Sequence, residues 1–231
     1  MLDELSAGYE GAGVVHGLSL TVKEGQKVGL IGRNGAGKTT TLACVMGLTQ
    51  LQKGAIRLGG RDIGRLPTYQ RARTGLGYVP QSRDIFPSLT VEENLLSALQ
   101  GRTKKSLDKI YRLFPRLHER RANGGNQLSG GEQQMLSVAR ALVGEPRILL
   151  LDEPLEGLAP KIRDELMEAI ENLATQTGVG CLLVEQHVDV VLDFADYVIL
   201  LERGMPVFSG AADELRADTL LLNRAIGLEK V

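Results

Sequence analysis

The stretch GRNGAGKT, Gly32 to Thr39, meets every fixed position of the pattern G-x-x-x-x-G-K-[ST]. It follows KVGLI (Lys27–Ile31), which reads as a buried strand, and it opens a segment that continues as a helix from Thr40 to Met46. Strand, glycine-rich loop and helix in that order make a phosphate cradle. Gly35 and Gly37 let backbone N–H groups turn inward, Lys38 adds a point charge at the outer phosphates, and Thr39 offers a hydroxyl to Mg2+. A plain turn before an ordinary helix is the alternative, and the complete match in this context outweighs it. The candidate nucleotide contacts are Gly32, Arg33, Asn34, Gly35, Ala36, Gly37, Lys38, Thr39 and Thr40.

Such a loop needs acids from a second strand. RILLLDEP (residues 147–154) sets four apolar residues before Asp152 and Glu153, at the carboxyl end where open α/β sheets bind ligands. Asp152 is expected to hold Mg2+ through water, beside Thr39, and Glu153 to poise the attacking water. Taken alone, two adjacent acids read equally well as a solvated strand tip. The phosphate loop decides between the two.

Working outward, LSLTV, GAIRLGG, GLGYVPQ and CLLVEQ read as further strands, and YVILLERG with MPVFSG as a closing hairpin. Thr90-x-x-Glu93 is a capping box that starts a helix. Further helices are expected from Ser106 to about Arg121, from Ser129 to about Val143, from Pro160 to Thr177, from His187 to Phe194, and in two short pieces at the end. Alternating strands and helices predict an α/β fold with a mostly parallel sheet. Residues 88–143 hold helices without strands. They read as a helical subdomain inserted into a core of residues 1–87 and 144–231, all within one domain.

Composition excludes several classes. Hydrophobic residues are 43% of the 231 and charged residues 24%, which supplies a core and argues against disorder. The 27 basic and 28 acidic residues leave a net charge of -1, so no nucleic-acid partner is expected. No run approaches the roughly 18 apolar residues of a membrane span, and the opening MLDELSAGYE has no signal-like apolar region. A soluble protein is expected. Cys44 and Cys181 read as buried thiols of a reducing compartment. His16 and His118 read as surface residues, and Arg71, Arg73, Arg116, Arg120 and Arg121 as solvated faces.

LSGGEQQML (Leu128–Leu136) raises a question. Ser129-x-x-Glu132 is a capping box, and Gly130 and Gly131 stand at the helix start, where an anion binds readily. The chain would then hold two phosphate sites. The succession GRNGAGKT, YVPQ, LSGGE, LLLDEP resembles, over nearly the whole chain, the ATP-binding subunits of ABC transporters. The resemblance implies a P-loop NTPase core with a mostly parallel sheet, an N-terminal antiparallel β part and an inserted helical subdomain. It also implies an answer. In that family two subunits pack head to tail, so Ser129, Gly130, Gly131 and Glu132 would close over ATP held by the other subunit's loop. Gln81, ending YVPQ, takes the place of a glutamine that touches Mg2+ or the water and faces the membrane partner. Tyr9 stands where the family sets an aromatic against adenine. The family's switch histidine falls in register on Gln186, while His187 has the chemistry one residue on, and both stay candidates. Ala159 replaces the aspartate usual after the DEP segment.

FPRLHERR, LSGGEQQML, EGLAP, VEQ and IFPSLTVEENL closely resemble the shorter ATP-binding subunit of branched-chain amino acid importers. Urea, amide and aromatic-acid importers share much of this pattern, and lipid or lipopolysaccharide exporters share the motif set. A soluble ABC ATPase outside transport is disfavoured by the short helical insert and the single ATP domain. The implied cofactors are ATP and Mg2+. The implied partners are integral membrane permeases, a second ATP-binding subunit of the same or another kind, and indirectly a periplasmic substrate-binding protein. The implied location is cytoplasmic, peripheral on the inner face of the cell membrane.

Overall fold

The computed structural model describes residues 1–99, 101 and 105–226. In chain order the strands are β1 (Leu2–Tyr9), β2 (Ala12–Leu20), β3 (Lys27–Ile31), β4 (Gln50–Leu58), β5 (Arg61–Asp62), β6 (Leu76–Val79), β7 (Ile148–Asp152), β8 (Gly180–Glu185), β9 (Tyr197–Glu202) and β10 (Met205–Ala211). One sheet runs β10-β9-β3-β8-β7-β6 and the other β2-β1-β4-β5. The first is parallel except at the β9–β10 hairpin, and the second is antiparallel.

The parallel strands are apolar on both faces because both are covered. Successive residues serve two different cores, as the two-residue period of a strand requires. Leu149, Leu151, Cys181 and Leu183 pack with the helical residues Leu136, Leu166 and Ile170. Leu150, Leu182 and Val184 pack with Leu42 and with Leu5, Leu18 and Ile56 of the antiparallel sheet. Both cysteines are free and buried, and burial pushes the Cys44 thiol up to about 11 and that of Cys181 to about 12.

The helices are α1 (Lys38–Met46), α2 (Thr68–Arg73), α3 (Val91–Ser97), α4 (Lys105–Leu113), α5 (Pro115–Glu119), α6 (Gly130–Val143), α7 (Pro160–Thr177), α8 (Val188–Phe194), α9 (Ala212–Ala217) and α10 (Thr219–Ile226). Among the described residues, 88–143 hold α3 to α6, a short 3-10 turn at Gly125–Gln127, and no strand. Residues 227–231, at the end of the expected domain, lie outside the described residues. No described helix is long and apolar enough to cross a membrane.

Two expectations are corrected. The helix expected from Ser106 to Arg121 is two helices, α4 and α5, parted at Phe114. Pro115 has no N–H to give, and it restricts the residue before it, so Phe114 sits at φ -125, ψ 75, with its ring in the core. Arg71 is not on a solvated face but 4% exposed. Its guanidinium donates to the carbonyls of Leu66, Cys44, Val45 and Gly64. Cys44 and Val45 lie in the last turn of α1, so the cation sits on carbonyls at the negative end of that helix, sharing that of Cys44 with the Gly47 N–H. Arg116 and Arg120 stay at the surface, paired with Glu165 and Glu132.

Candidate functional site

Strand order builds the site. Along β3-β8-β7-β6 four carboxyl ends lie side by side, carrying the loop after Ile31, then Glu185 and Gln186, then Asp152 and Glu153, then Gln81. In register, Ile31 pairs with Glu185 and Asp152 with Val184.

The phosphate loop is shaped by close packing. Gly37 has φ +102, and a Cβ there would lie 2.8 Å from Val15 Cγ2, so only glycine fits. Lys38 is 4% exposed. Its ammonium donates to the carbonyls of Gly32 (2.8 Å) and Arg33 (3.4 Å) and lies 3.5 Å from Glu153 Oε1. The Thr39 hydroxyl donates to Asp152 Oδ1 at 3.0 Å. The Tyr78 hydroxyl donates to Asp152 Oδ2 at 3.2 Å. Burial pushes the Asp152 carboxyl above the ordinary range, and those two hydroxyls work against that shift. A hydroxyl and a carboxylate side by side are hard oxygen donors, which suits Mg2+. Tyr78 was not singled out in the sequence, although it is the first residue of YVPQ. Gln81 is not brought to the Thr39–Asp152 pair, and its Nε2 donates instead to Glu156 Oε2 at 2.7 Å.

Glu153 is buried and has φ +47, a left-handed conformation uncommon outside glycine. Gln186 Nε2 donates to Glu153 Oε2 at 2.6 Å. His187 stands at the start of α8 with no side-chain cap. Gln186 and His187 both line a cleft of about 640 Å³ together with Arg33, Asn34 and Gly35. Thr40 is buried. Tyr9 is half-exposed beside the β1–β2 turn, and the same hairpin brings Val14 and Val15 against Gly37. Ala159 occupies the N-cap of α7 without a side-chain bond.

The LSGGE segment is arranged differently. Ser129 caps α6: its N–H and hydroxyl donate to Glu132 Oε2 at 2.8 and 2.9 Å, and its Oγ accepts from the Glu132 N–H at 3.3 Å. Burial works to raise the Glu132 carboxyl, but the Ser129 donors and Arg120 outweigh it and hold the group below its usual range. A Cβ on Gly131 would lie 2.7 Å from Ile162 Cγ2, so α7 itself requires that glycine. Ser129 and Gly130 are exposed. Among the described residues, no hydrogen bond or ion pair links 32–40 to 129–132.

Comparison with known proteins follows the same lines. A family model described as ABC transporter matches residues 15–156. High-affinity branched-chain amino acid transport ATP-binding protein BraG of Pseudomonas aeruginosa is 43% identical over 216 residues, covering 91% of this chain and 92% of its own. Lipopolysaccharide export system ATP-binding protein LptB of Haemophilus influenzae is 36% identical over 223 residues, covering 94% and 92%. A solved structure, "Structure of ATP binding subunit of ABC transporter", matches with a TM-score of 0.84 at 28% identity, over 98% of this chain and 95% of that one.

Proposed function

The chain belongs to the ABC transporter family and is an ATPase motor of it, and on that premise we propose that it drives a membrane importer for branched-chain or other amino acids. The observation that carries this reading is the 43% identity to BraG across 91% of the chain. The 36% identity to LptB favours one second reading, the motor of a lipid or lipopolysaccharide exporter, which would use the same residues.

ATP would lie on the loop of residues 32–40, with Tyr9 against the adenine. Lys38 would exchange the carbonyls of Gly32 and Arg33 for the outer phosphates. Mg2+, when bound, neutralises phosphate charge; Thr39 and Asp152 are the residues that would hold it, with Gln81 turning toward it from Glu156. Glu153, aimed by Gln186, positions the attacking water and takes its proton. His187 faces the same cleft one residue on. Little covalent chemistry is asked of the protein, since phosphoryl transfer is mainly positioning and electrostatics. Ser129, Gly130, Gly131 and Glu132 would close over the γ-phosphate on the other subunit of a head-to-tail pair, and hydrolysis would release that contact. The chain would work in the cytoplasm, on the inner face of the cell membrane, beneath permease subunits fed by a periplasmic binding protein.

The test is a tagged pull-down from native membranes in mild detergent, identifying every co-purifying chain. Two polytopic permeases with a second ATP-binding subunit are expected. Lipopolysaccharide-export components would establish the second reading. Soluble partners alone, a ribosome or DNA would overturn both.

A further inference from the structure

We propose that Glu185 is a positioning residue for hydrolysis, holding in place the strained backbone that presents Glu153. The inference rests on the reading of Glu153 as the catalytic base. VEQ ends β8, and Gln186 accounts for only part of it. Glu185 is 2% exposed, yet it has no cation within ion-pair distance among the described residues. A buried carboxylate without a cation is costly unless its oxygens are otherwise satisfied. Both are satisfied by backbone. Oε1 accepts from the Leu155 N–H at 2.9 Å and Oε2 from the Gln186 N–H at 3.2 Å.

Those two amides flank the reacting group from two chain segments. Glu153 has φ +47 and its N–H donates to Val184 O at 2.8 Å. Two residues on, Leu155 is tied to Glu185. A left-handed non-glycine residue persists only where its surroundings over-determine it, and these two bonds bracket it. Leu155 and Leu158 are buried in the core, so the loop is pinned from below while Glu156 and Gly157 face outward. Glu185 thus fixes the backbone of the loop, and Gln186 fixes the Glu153 carboxylate at 2.6 Å. Burial, joined by the neighbouring Glu153 charge, pushes the Glu185 carboxyl above its ordinary range, while the two N–H bonds and, after them, His187 beyond ion-pair distance oppose this. An aliphatic residue would fill this place without such a cost, which marks the two N–H bonds as the reason for an acid.

The test compares Glu185→Gln and Glu185→Ala with the wild type. Glutamine keeps the size but turns an N–H2 toward one of the two donors, and alanine leaves both unpaired. In Glu185→Gln, kcat is expected to fall about 10- to 100-fold while KM for ATP changes less than about threefold. A fluorescent ADP analogue should still bind at one per chain, which excludes loss of folded protein. Hydrogen exchange should quicken in the peptide holding Leu155 and not in the one holding Lys38. A wild-type kcat in Glu185→Gln, or a loss carried by KM or by fewer binding sites, overturns the proposal. Glu153→Gln serves as the control. If that variant still turns over normally, the base assignment itself fails; if it is inactive while Glu185→Gln is unimpaired, only the role of Glu185 fails.

Discussion

The phosphate loop and the LSGGE segment both open helices with glycine, and the chain equips them in opposite ways. Around the loop, side chains from four segments interlock: Lys38 with Glu153, Glu153 with Gln186, Thr39 and Tyr78 with Asp152. Lys38, Asp152 and Glu153 are all buried. The LSGGE segment bonds its own first turn and Arg120, and leaves Ser129 and Gly130 exposed. One half is assembled by the fold. The other is a capped helix end displayed on the surface, and among the described residues no hydrogen bond or ion pair joins it to the phosphate loop of its own chain. A half-site that is complete and a half-site that is displayed are what two head-to-tail subunits would each bring.

The largest effect belongs to the assembled half. Glu153→Gln should lower turnover by about 10²–10⁴-fold, the usual contribution of a general base, and leave an ATP-locked pair visible by light scattering. A wild-type rate would remove Glu153 from the mechanism. On the displayed half, Ser129→Arg should abolish most turnover while ADP still binds the loop with near-wild-type affinity. Unchanged ATPase activity there would end the argument that the two halves meet. Mixing Ser129→Arg with Lys38→Ala sharpens the comparison further. If the chain pairs with itself, half the pairs are mixed and one of their two sites is intact, so roughly a quarter of the wild-type rate should return. No recovery from two inactive variants would assign the other half-site to a different ATP-binding chain.

What the sequence discloses is local. The strand–loop–helix order around GRNGAGKT, the two capping boxes and the helix Pro160–Thr177 depend on residues a few positions apart, and these elements stand in the structure, with α1 beginning at Lys38, two residues before the expected Thr40. What it conceals depends on strand order. β8 is late in the chain yet lies between β3 and β7, so nothing near Glu185 in sequence points to Leu155, and nothing near Tyr78 points to Asp152. Arg71 was misread because a basic run gives no sign of which member turns inward. Two of its partners are carbonyls of an earlier helix end, and backbone carbonyls leave no trace in composition. The break between α4 and α5 is a different case. Pro115 stands in the sequence within a polar helical pattern that continues on either side of it, and its missing N–H is what ends α4 and starts α5.

The smallest effect tests how little holds the displayed half. Glu132→Ala removes the acceptor of the Ser129 N–H and hydroxyl and the partner of Arg120 at 3.7 Å. Losing one side of a capping box should cost about 1 kcal/mol. In a chain of this size that is about 2–4 °C in Tm, readable by thermal unfolding. Glu132→Gln keeps an acceptor in the same place and should unfold close to the wild type, since glutamine completes the same box. Neither change should alter ADP binding, because no bond runs from residues 129–132 to the loop of 32–40. A loss of ADP affinity in Glu132→Ala would mean that the two halves communicate within one chain, and the division between an assembled and a displayed half would give way.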